Sequence, residues 1–314
     1  MLLGCNVYIS EGRNLAILQK LKEVAQAQQR AACLQTFSDE PYNRTSFTLA
    51  ARLPGQLANA AVSLAREALQ LVHLGEHTAS HPRVGTVDHI SCHPFSSEAP
   101  LAAADETAQL IGEQLGQSPG LPVFLYGTAH SHARQLPRLR RELGYFAGGK
   151  TGTTAAGRDP AAGADWAGIA SAGEWSGWGS SVAGSLKIAP DYGPDQARPN
   201  HGVSLVGSGL WVTNFNVLLL TQELRRAQQI STLLSERGGG LLGVQAMALP
   251  HQDGIEVACN LVNSGQKHPD PDEVKARVRQ LATEQSIPVG NCYRIGKSLQ
   301  ELIEEANAQL PEES

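Results

Sequence analysis

The order of strand-like and helix-like hydrophobic patterns constrains the fold of this chain more than any other feature. Every second residue from Phe47 to Leu53 is apolar, which is the period of a half-buried strand. From Leu57 to Leu71 the apolar residues recur at steps of three and four, which predicts a helix with one apolar face. With the shorter segments around them, these patterns predict the order β-α-β-β-α-β over residues 5–92.

The second half of the chain repeats this order. A helix follows Thr221 and stops at Gly238, and Asp270-Pro271-Asp272-Glu273 is a strong start for another, with a capping residue followed by proline and acidic residues. A last helix is predicted over 298–309. The strands predicted in this half are 210–220, 242–249, 255–261 and 287–295.

Two such units predict an α+β fold made of two ferredoxin-like (βαββαβ) subdomains. We expect antiparallel or mixed sheets, helices on the outer faces and a groove between the subdomains. Glycine, alanine and serine dominate the stretch after residue 143, which is typical of a surface loop or a poorly ordered insertion. The stretch also contains three tryptophans, so it is equally open that part of it packs on the folded subdomains. The predicted divisions are an N-terminal subdomain over 1–142, an insertion over 143–185, a linker over 186–206 and a C-terminal subdomain over 207–314.

Composition excludes several classes of function. The net charge is −5 and no basic cluster stands out, which argues against nucleic acid as a partner. No apolar run approaches the length of a membrane span, so no membrane partner is expected. The five cysteines are scattered without a CxxC pair, which argues against a disulfide framework and fits a reducing, cytoplasmic location.

The stretch from His81 to Asp88 carries the clearest candidate for chemistry. Pro82 restricts its own backbone and pushes His81 toward an extended conformation, and Gly85 allows a sharp turn into the next strand. An imidazole on such a stiffened loop suits proton transfer near neutral pH. Most histidines are not catalytic, so a surface histidine is the simpler interpretation of this residue alone.

Two other motifs fail a test of context. Residues 144–151 have the phosphate-loop spacing GxxxxGK[ST], but a charged helix precedes them instead of a strand and more glycines follow. The histidines near His81 suggest a metal cluster, but no cysteine or carboxylate spacing supports one, so no metal is predicted. These histidines are His73, His77, His89 and His93.

Two polar loops are open to a structural or a functional interpretation. Asp39 and Asn43 favour a turn for backbone reasons, whereas Arg44 after them is able to clamp a carboxylate with its forked donors. The stretch from Gly193 to Gly202 has the composition of a linker, yet a linker across an inter-domain groove is also well placed to line a ligand site.

Several stretches together resemble the formiminotransferase domain of formiminotransferase-cyclodeaminase, also called glutamate formimidoyltransferase. The insertion and the segment Glu256–Leu261 look most like the plant and algal branch of this family. The stretches that carry the resemblance are Asn6–Asn14, Asn43-Arg44-Thr45, His81-Pro82-Arg83, Pro122–Gly127, Pro190–Pro194 and Asn214-Phe215-Asn216.

The resemblance implies a homodimer of two ferredoxin-like subdomains per chain, with tetrahydrofolate bound in the groove as a co-substrate. It makes His81 the catalytic histidine and Asp39 the acidic residue beside it. The folate-binding loop implied by the family is Gly193, Pro194, Asp195, Gln196, Ala197, Arg198, Pro199, Asn200, His201 and Gly202.

The resulting hypothesis is an enzyme that transfers a formimino group from N-formiminoglutamate to N5 of tetrahydrofolate, with His81 as general acid and base. Arg44, Arg83 and Asn43 are the candidates for binding carboxylates. The chain departs from the family at Ser80, where an acidic residue is usual, and around Arg198 in the loop. The alternative is therefore a folate-binding protein, or a one-carbon transferase with another donor and no activity toward formiminoglutamate.

Overall fold

The computed structural model describes residues 1–145, 175–176, 186, 188–263 and 268–311. These residues form two compact units. The first holds those up to 145, from 186 to 211 and from 296 onward, and the second holds those from 212 to 295. Residues 146–151 of the segment with phosphate-loop spacing and most of the 143–185 insertion lie outside the described residues.

The predicted α+β class is confirmed, and the helices and strands follow the predicted order closely. The helices are α1 Leu15–Gln26, α2 Pro54–Leu71, α3 Leu101–Gln117, α4 Leu136–Glu142, α5 Leu224–Leu234, α6 Pro271–Glu284 and α7 Leu299–Gln309. The strands are β1 Leu3–Ile9, β2 Ala31–Asp39, β3 Arg44–Ala51, β4 Thr78–Ala79, β5 Val87–Pro94, β6 Val123–Gly127, β7 Trp175–Ser176, β8 Ser204–Ser208, β9 Val212–Leu219, β10 Val244–His251, β11 Gly254–Val262 and β12 Val289–Arg294.

The first unit is built on a six-stranded sheet with the order β2-β3-β1-β5-β8-β6. The first four strands pair antiparallel in the arrangement of a βαββαβ unit, and β8 then pairs parallel with both β5 and β6. Apolar side chains of α2, including Leu57, Leu64 and Ala68, pack on β1 residues such as Val7 in the main core. The periodic pattern from Leu57 to Leu71 therefore marks the core-facing side of this helix.

The last helix packs on this sheet as well. Leu302, Ala306 and Leu310 form a second apolar cluster with Leu34 and Phe95. Ser298 begins the helix with a capping box to Glu301, which explains why its start is visible in the sequence. The sequence groups this helix with residues 207–314, because an amphipathic pattern shows that a helix is covered but not by what.

The second unit is a four-stranded antiparallel sheet with the order β10-β11-β9-β12, again the order of a βαββαβ unit. Helices α5 and α6 cover one face, where Ile230 and Val278 meet Val217 and Val257. The side chain of Asp270 accepts a hydrogen bond from the backbone of Asp272, as its sequence predicts.

The strand β8 is the main element that the sequence analysis misses. It lies largely within the predicted linker 186–206, yet all its residues are buried between two parallel neighbours. A strand covered on both faces has no alternation of polar and apolar residues, so its period is invisible in the sequence.

The structure also contains a length of chain that protects the exposed edge of β6. The backbone N–H of Val123 donates to the Tyr192 carbonyl at 2.9 Å, and that of Leu125 donates to the Asp191 carboxylate at 2.7 Å. Covering an edge in this way prevents further strand pairing.

In the part of the chain that the structure describes, no helix is long and apolar enough to cross a membrane.

Candidate active site

His81 lies in the loop that joins β4 to β5. Its Nδ1 is 2.7 Å from the carbonyl oxygen of Pro82. A carbonyl oxygen only accepts hydrogen bonds, so this contact assigns the proton to Nδ1 and leaves Nε2 as the basic nitrogen. The proline after His81 thus fixes the tautomer of the imidazole as well as the direction of the loop.

Arg44, the first residue of β3, lies beside His81 and is held from two sides. Its Nη1 is 3.2 Å from Nδ1 and 3.4 Å from Nε2 of His81, and with the proton on Nδ1 only Nε2 is able to accept from it. Its Nη2 is 3.2 Å from Oδ2 of Asp88. Its guanidinium also stacks on the ring of Tyr8, 4.6 Å from the ring centroid. Asp88 in turn accepts a hydrogen bond from the backbone of Val84, so the loop, the ion pair and the sheet support one another.

Burial and charge keep His81 unprotonated and Arg44 protonated. Burial, and then the positive charge of Arg44, lower the pKa of His81 well below its usual value. The pKa of Arg44 is raised although burial alone would lower it, because the charge of Asp88 favours the protonated guanidinium. At neutral pH the site therefore holds a neutral imidazole, which is a base, next to a cation.

Aromatic rings enclose the imidazole, and Asp39 supports one of them. The ring of Tyr42 meets that of His81 edge to face at 5.3 Å, and that of Tyr145 does so at 6.3 Å. The carboxylate of Asp39 accepts a hydrogen bond from the backbone of Tyr42 at 2.8 Å. Asp39 therefore contacts Tyr42, which in turn contacts His81. The carboxylate paired with Arg44 is that of Asp88.

Asn43 and Arg83 hold the loop around His81. Asn43 has a left-handed backbone with φ of 46°, and its side-chain amide joins the backbone of Gly12 to that of Thr78. Arg83 is 3% exposed and donates to the carbonyl of His77 at 3.1 Å. Burial lowers the pKa of Arg83 to about 10, so it remains positively charged at neutral pH.

The C-terminal half of the stretch Gly193–Gly202 lies directly against the His81 loop. The carbonyl of Asn200 accepts from the backbone of Leu74 and from Oγ1 of Thr86, each at 3.2 Å. Gly202 has φ of +66° and approaches the backbone at Gly85 so closely that a Cβ on Gly202 would lie 2.2 Å from the Val84 carbonyl. The side chains of Arg198, Pro199 and Asn200 are exposed.

The N-terminal half of the same stretch has a structural setting. Gly193 has φ of +83°, and a Cβ on it would be 3.2 Å from the Cα of Gly116 in α3 and 2.2 Å from the carbonyl of Leu121, which follows that helix. Tyr192 just before it packs on Gly112 and Gly116 of α3. Pro194, Asp195 and Gln196 are exposed, and Ala197 is buried in a small cluster with Val203.

The other histidines of this region have separate surroundings. Nε2 of His89 is 2.6 Å from the hydroxyl of Tyr126, and Nδ1 of His93 is 3.0 Å from the Gly209 carbonyl. His73 is exposed, whereas His77 is buried and neither of its ring nitrogens has a hydrogen bond to any described residue. Among the described residues, no group of three or more side chains is arranged to hold a metal ion.

Several residues of the site are absent from the sequence-based set. Asp88 has a visible signal, because a carboxylate inside an otherwise apolar strand needs a partner when buried. Tyr8, Tyr42 and Tyr145 carry no such signal, since aromatic residues in strands and loops usually belong to a core. Their contribution depends on which strands become neighbours.

Comparison with known proteins gives the family. Residues 2–209 match the family model described as "Formiminotransferase domain, N-terminal subdomain". The chain belongs to the formiminotransferase domain family. A formiminotransferase cyclodeaminase-like protein of Arabidopsis thaliana is 34% identical over 309 residues, which is 97% of this chain and 96% of that protein.

Two further relatives of this chain carry names that state an activity. A formimidoyltransferase-cyclodeaminase of Sus scrofa is 27% identical over 83% of this chain and 44% of the pig protein. A glutamate formimidoyltransferase of Streptococcus pyogenes serotype M1 is 25% identical over 82% of this chain and 77% of that enzyme. The chain thus spans less than half of the pig protein and most of the streptococcal one.

Proposed function

We propose that this chain is a folate-dependent transferase that moves a formimino group from N-formiminoglutamate to N5 of tetrahydrofolate, with His81 as general acid and base. The observation that carries the proposal is the neutral imidazole of His81, with a basic Nε2 beside the cation of Arg44. Membership of the formiminotransferase family and the names of its relatives support the same reaction.

The reaction needs one group that takes a proton and gives it back. N5 attacks the formimino carbon and loses its proton to Nε2 of His81, which forms a tetrahedral adduct. The bond from that carbon to the glutamate nitrogen then breaks, and the imidazolium returns the proton to the leaving nitrogen. A base with these two duties contributes about 10²–10⁴-fold to the rate.

The positive charges around His81 suit an acidic donor. Arg44 and Arg83 are our candidates for binding its carboxylates, and Asn43 holds the chain at Thr78, just before the loop that carries Arg83. When a carboxylate binds Arg44, the N–H that now points at Nε2 turns away, and Nε2 becomes free to accept a proton. Donor binding would then activate the base.

We also propose that the exposed face of the loop 193–202 binds folate. Arg198, Pro199 and Asn200 are exposed next to the loop that carries His81, which brings a folate held there near the base. Replacing Arg198 with glutamine is expected to raise the KM for tetrahydrofolate and to leave the KM for the donor unchanged.

The decisive experiment compares His81→Ala with His132→Ala, which replaces an exposed histidine. Formimino transfer is followed as formation of 5-formiminotetrahydrofolate. We expect kcat to fall by about 10²–10⁴-fold for His81→Ala only, with both melting temperatures near that of the wild type. Full activity of His81→Ala would rule out its role.

The second candidate is a folate-binding protein without this activity, or a transferase with another donor. It is favoured by Ser80, whose hydroxyl donates to the Pro41 carbonyl where the family usually has an acid. Calorimetric titration with tetrahydrofolate beside the transfer assay separates the candidates, because tight binding without turnover supports the second. We further propose a homodimer that works in the cytoplasm, for which sedimentation equilibrium and cell fractionation are the tests.

A further inference from the structure

Arg140 and Tyr145 are brought together by the way α4 ends. The backbone N–H of Tyr145 donates to the Arg140 carbonyl at 2.9 Å, and that of Gly144 donates to the Arg141 carbonyl at 3.1 Å. Gly144 has φ of +74°, so the three features form a Schellman motif. This motif folds the chain back over the last turn, and the guanidinium of Arg140 stacks on the Tyr145 ring at 4.7 Å.

The same tyrosine connects Arg140 to the His81 site. Tyr145 is buried, its ring is 6.3 Å from that of His81, and its hydroxyl forms a hydrogen bond with the side chain of Arg44. Two guanidiniums therefore flank one ring. The charge of Arg140 is also close enough to contribute to lowering the pKa of His81 and of His89.

The positive charges of this region outnumber the negative ones. Among Arg44, Arg83 and Arg140, Asp88 is an acidic neighbour of the first two, because its charge raises the pKa of Arg44 and favours the protonated form of Arg83. Nε of Arg44 and Nε of Arg140 are both buried and make no hydrogen bond within the described part of the chain. Buried donors of charged groups are costly to leave unpaired, so this arrangement calls for an anion.

We propose that Arg140 is a specificity-determining residue that, with Arg44, binds a carboxylate of an acidic amino-acid donor beside His81. That the bound molecule is the formimino donor rests on the proposed function, whereas the binding of a carboxylate does not. A planar guanidinium suits this task because its fork of donors matches both carboxylate oxygens. Neither the sequence motifs nor the candidates Arg44, Arg83 and Asn43 include this residue.

The first test measures binding without turnover. L-Glutamate is titrated calorimetrically into the wild type, Arg140→Gln, and the control Arg141→Gln, which replaces the exposed neighbour on the same helix. We expect Arg140→Gln to weaken binding by about 10- to 150-fold, the range for a hydrogen bond to a charged group, and Arg141→Gln to match the wild type. Equal binding by all three proteins, or no binding of glutamate by the wild type, overturns the proposal.

The second test concerns the reaction. For Arg140→Gln we expect the KM for the donor to rise by a similar factor while the KM for tetrahydrofolate stays unchanged. Two donor analogues are compared, one with the side-chain carboxylate and one with the α-carboxylate replaced by a carboxamide. The analogue that lacks the carboxylate bound by Arg140 should lose the same factor with the wild type and little more with the variant. Independent, multiplying losses for both analogues would overturn the assignment.

Two controls keep the outcomes separate. Arg140→Met retains the aliphatic stem that packs on Tyr145, and it decides the case if Arg140→Gln has a lowered melting temperature. If the wild type binds glutamate through Arg140 but transfers no formimino group, the proposed function fails and the assignment of Arg140 stands. If transfer occurs and the variants bind glutamate normally, the reverse holds.

Discussion

His81 and Arg44 show how one burial can have opposite effects on two neighbouring groups. Removing water disfavours the charged form of both, but Arg44 is compensated by Asp88 at 3.2 Å whereas His81 faces another cation. The imidazole is therefore driven to its neutral form and the guanidinium keeps its charge. A base that is unprotonated over the whole physiological range is the chemical result.

The first prediction concerns the acid limb of the pH profile, which is the pH range over which kcat/KM falls as His81 becomes protonated. Because the pKa of His81 is lowered, we expect this limb to lie well below pH 6.5 in the wild type. Arg44→Gln removes a positive charge beside His81, so the imidazolium becomes less unfavourable and the limb moves to higher pH. A pH profile of both proteins checks this, and a limb that stays in place or moves to lower pH contradicts it.

The second prediction concerns the ion pair itself. Asp88→Asn leaves Arg44 buried without its counter-charge, which costs about 3–5 kcal/mol when a buried pair loses one partner. Glu142→Gln breaks the exposed pair with Arg138 instead and should cost less than about 1 kcal/mol. Urea unfolding of both variants measures the difference, and equal losses would mean that the Arg44 pair has no special weight.

At this scale the sequence indicates His81 and Arg44 but not their surroundings. Pro82 restricts the histidine locally, so its unusual position is visible in three consecutive residues. Asp88 lies seven residues further on and Tyr8 lies on another strand, and both reach Arg44 only because β1, β3 and β5 become neighbours. Such contacts depend on the register of the sheet.

Among the larger elements, the close approach of two loops is the feature on which the site depends. Gly85 and Gly202 face each other where the chain before β8 meets the chain before β5. Gly202 is in the left-handed region and has no space for a side chain, since a Cβ would be 2.2 Å from a backbone oxygen. Glycine is thus required there by both conformation and contact.

The third prediction tests this contact. Gly202→Ala should lower the free energy of unfolding by at least about 1–2 kcal/mol, because alanine is strained at positive φ and the backbone must also move. Its KM for tetrahydrofolate should rise as the loop 198–202 shifts away from the His81 loop. Gly55→Ala is the matched control, since a Cβ added at Gly55 would meet no atom within 4 Å. A Gly202→Ala protein as stable as this control would refute the argument.

The sequence predicts elements well where the signal is local. Asn14, Asp270 and Ser298 cap helices as their side chains suggest, and the strand period identifies β3 and β11. It fails for β8, whose two buried faces remove the period, and it does not reveal which sheet α7 covers. Both are properties of packing partners and not of the segment itself.

For the molecule as a whole, buried neutral histidines connect the architecture to acid sensitivity. Burial is the main cause that lowers the pKa of His77 to about 3 and that of His93 to about 4, and both side chains are less than 10% exposed, at 7% and 3%. In the unfolded chain such histidines bind protons near pH 6.5. These histidines therefore do not destabilise the folded state above pH 6.5, and they destabilise it progressively as the pH falls toward these lowered values.

The last prediction follows from this linkage. Between pH 6.5 and 5.0, each such histidine should weaken the free energy of unfolding by about 2 kcal/mol. Neither ring nitrogen of His77 makes a hydrogen bond within the described residues, so His77→Leu gives up no polar contact and should keep its stability at pH 7 while losing less of it at pH 5. His132→Gln replaces an exposed histidine and should follow the wild type. Urea unfolding at several pH values compares the three proteins, and an unchanged slope for His77→Leu would show that His77 titrates in the folded state as it does in the unfolded chain.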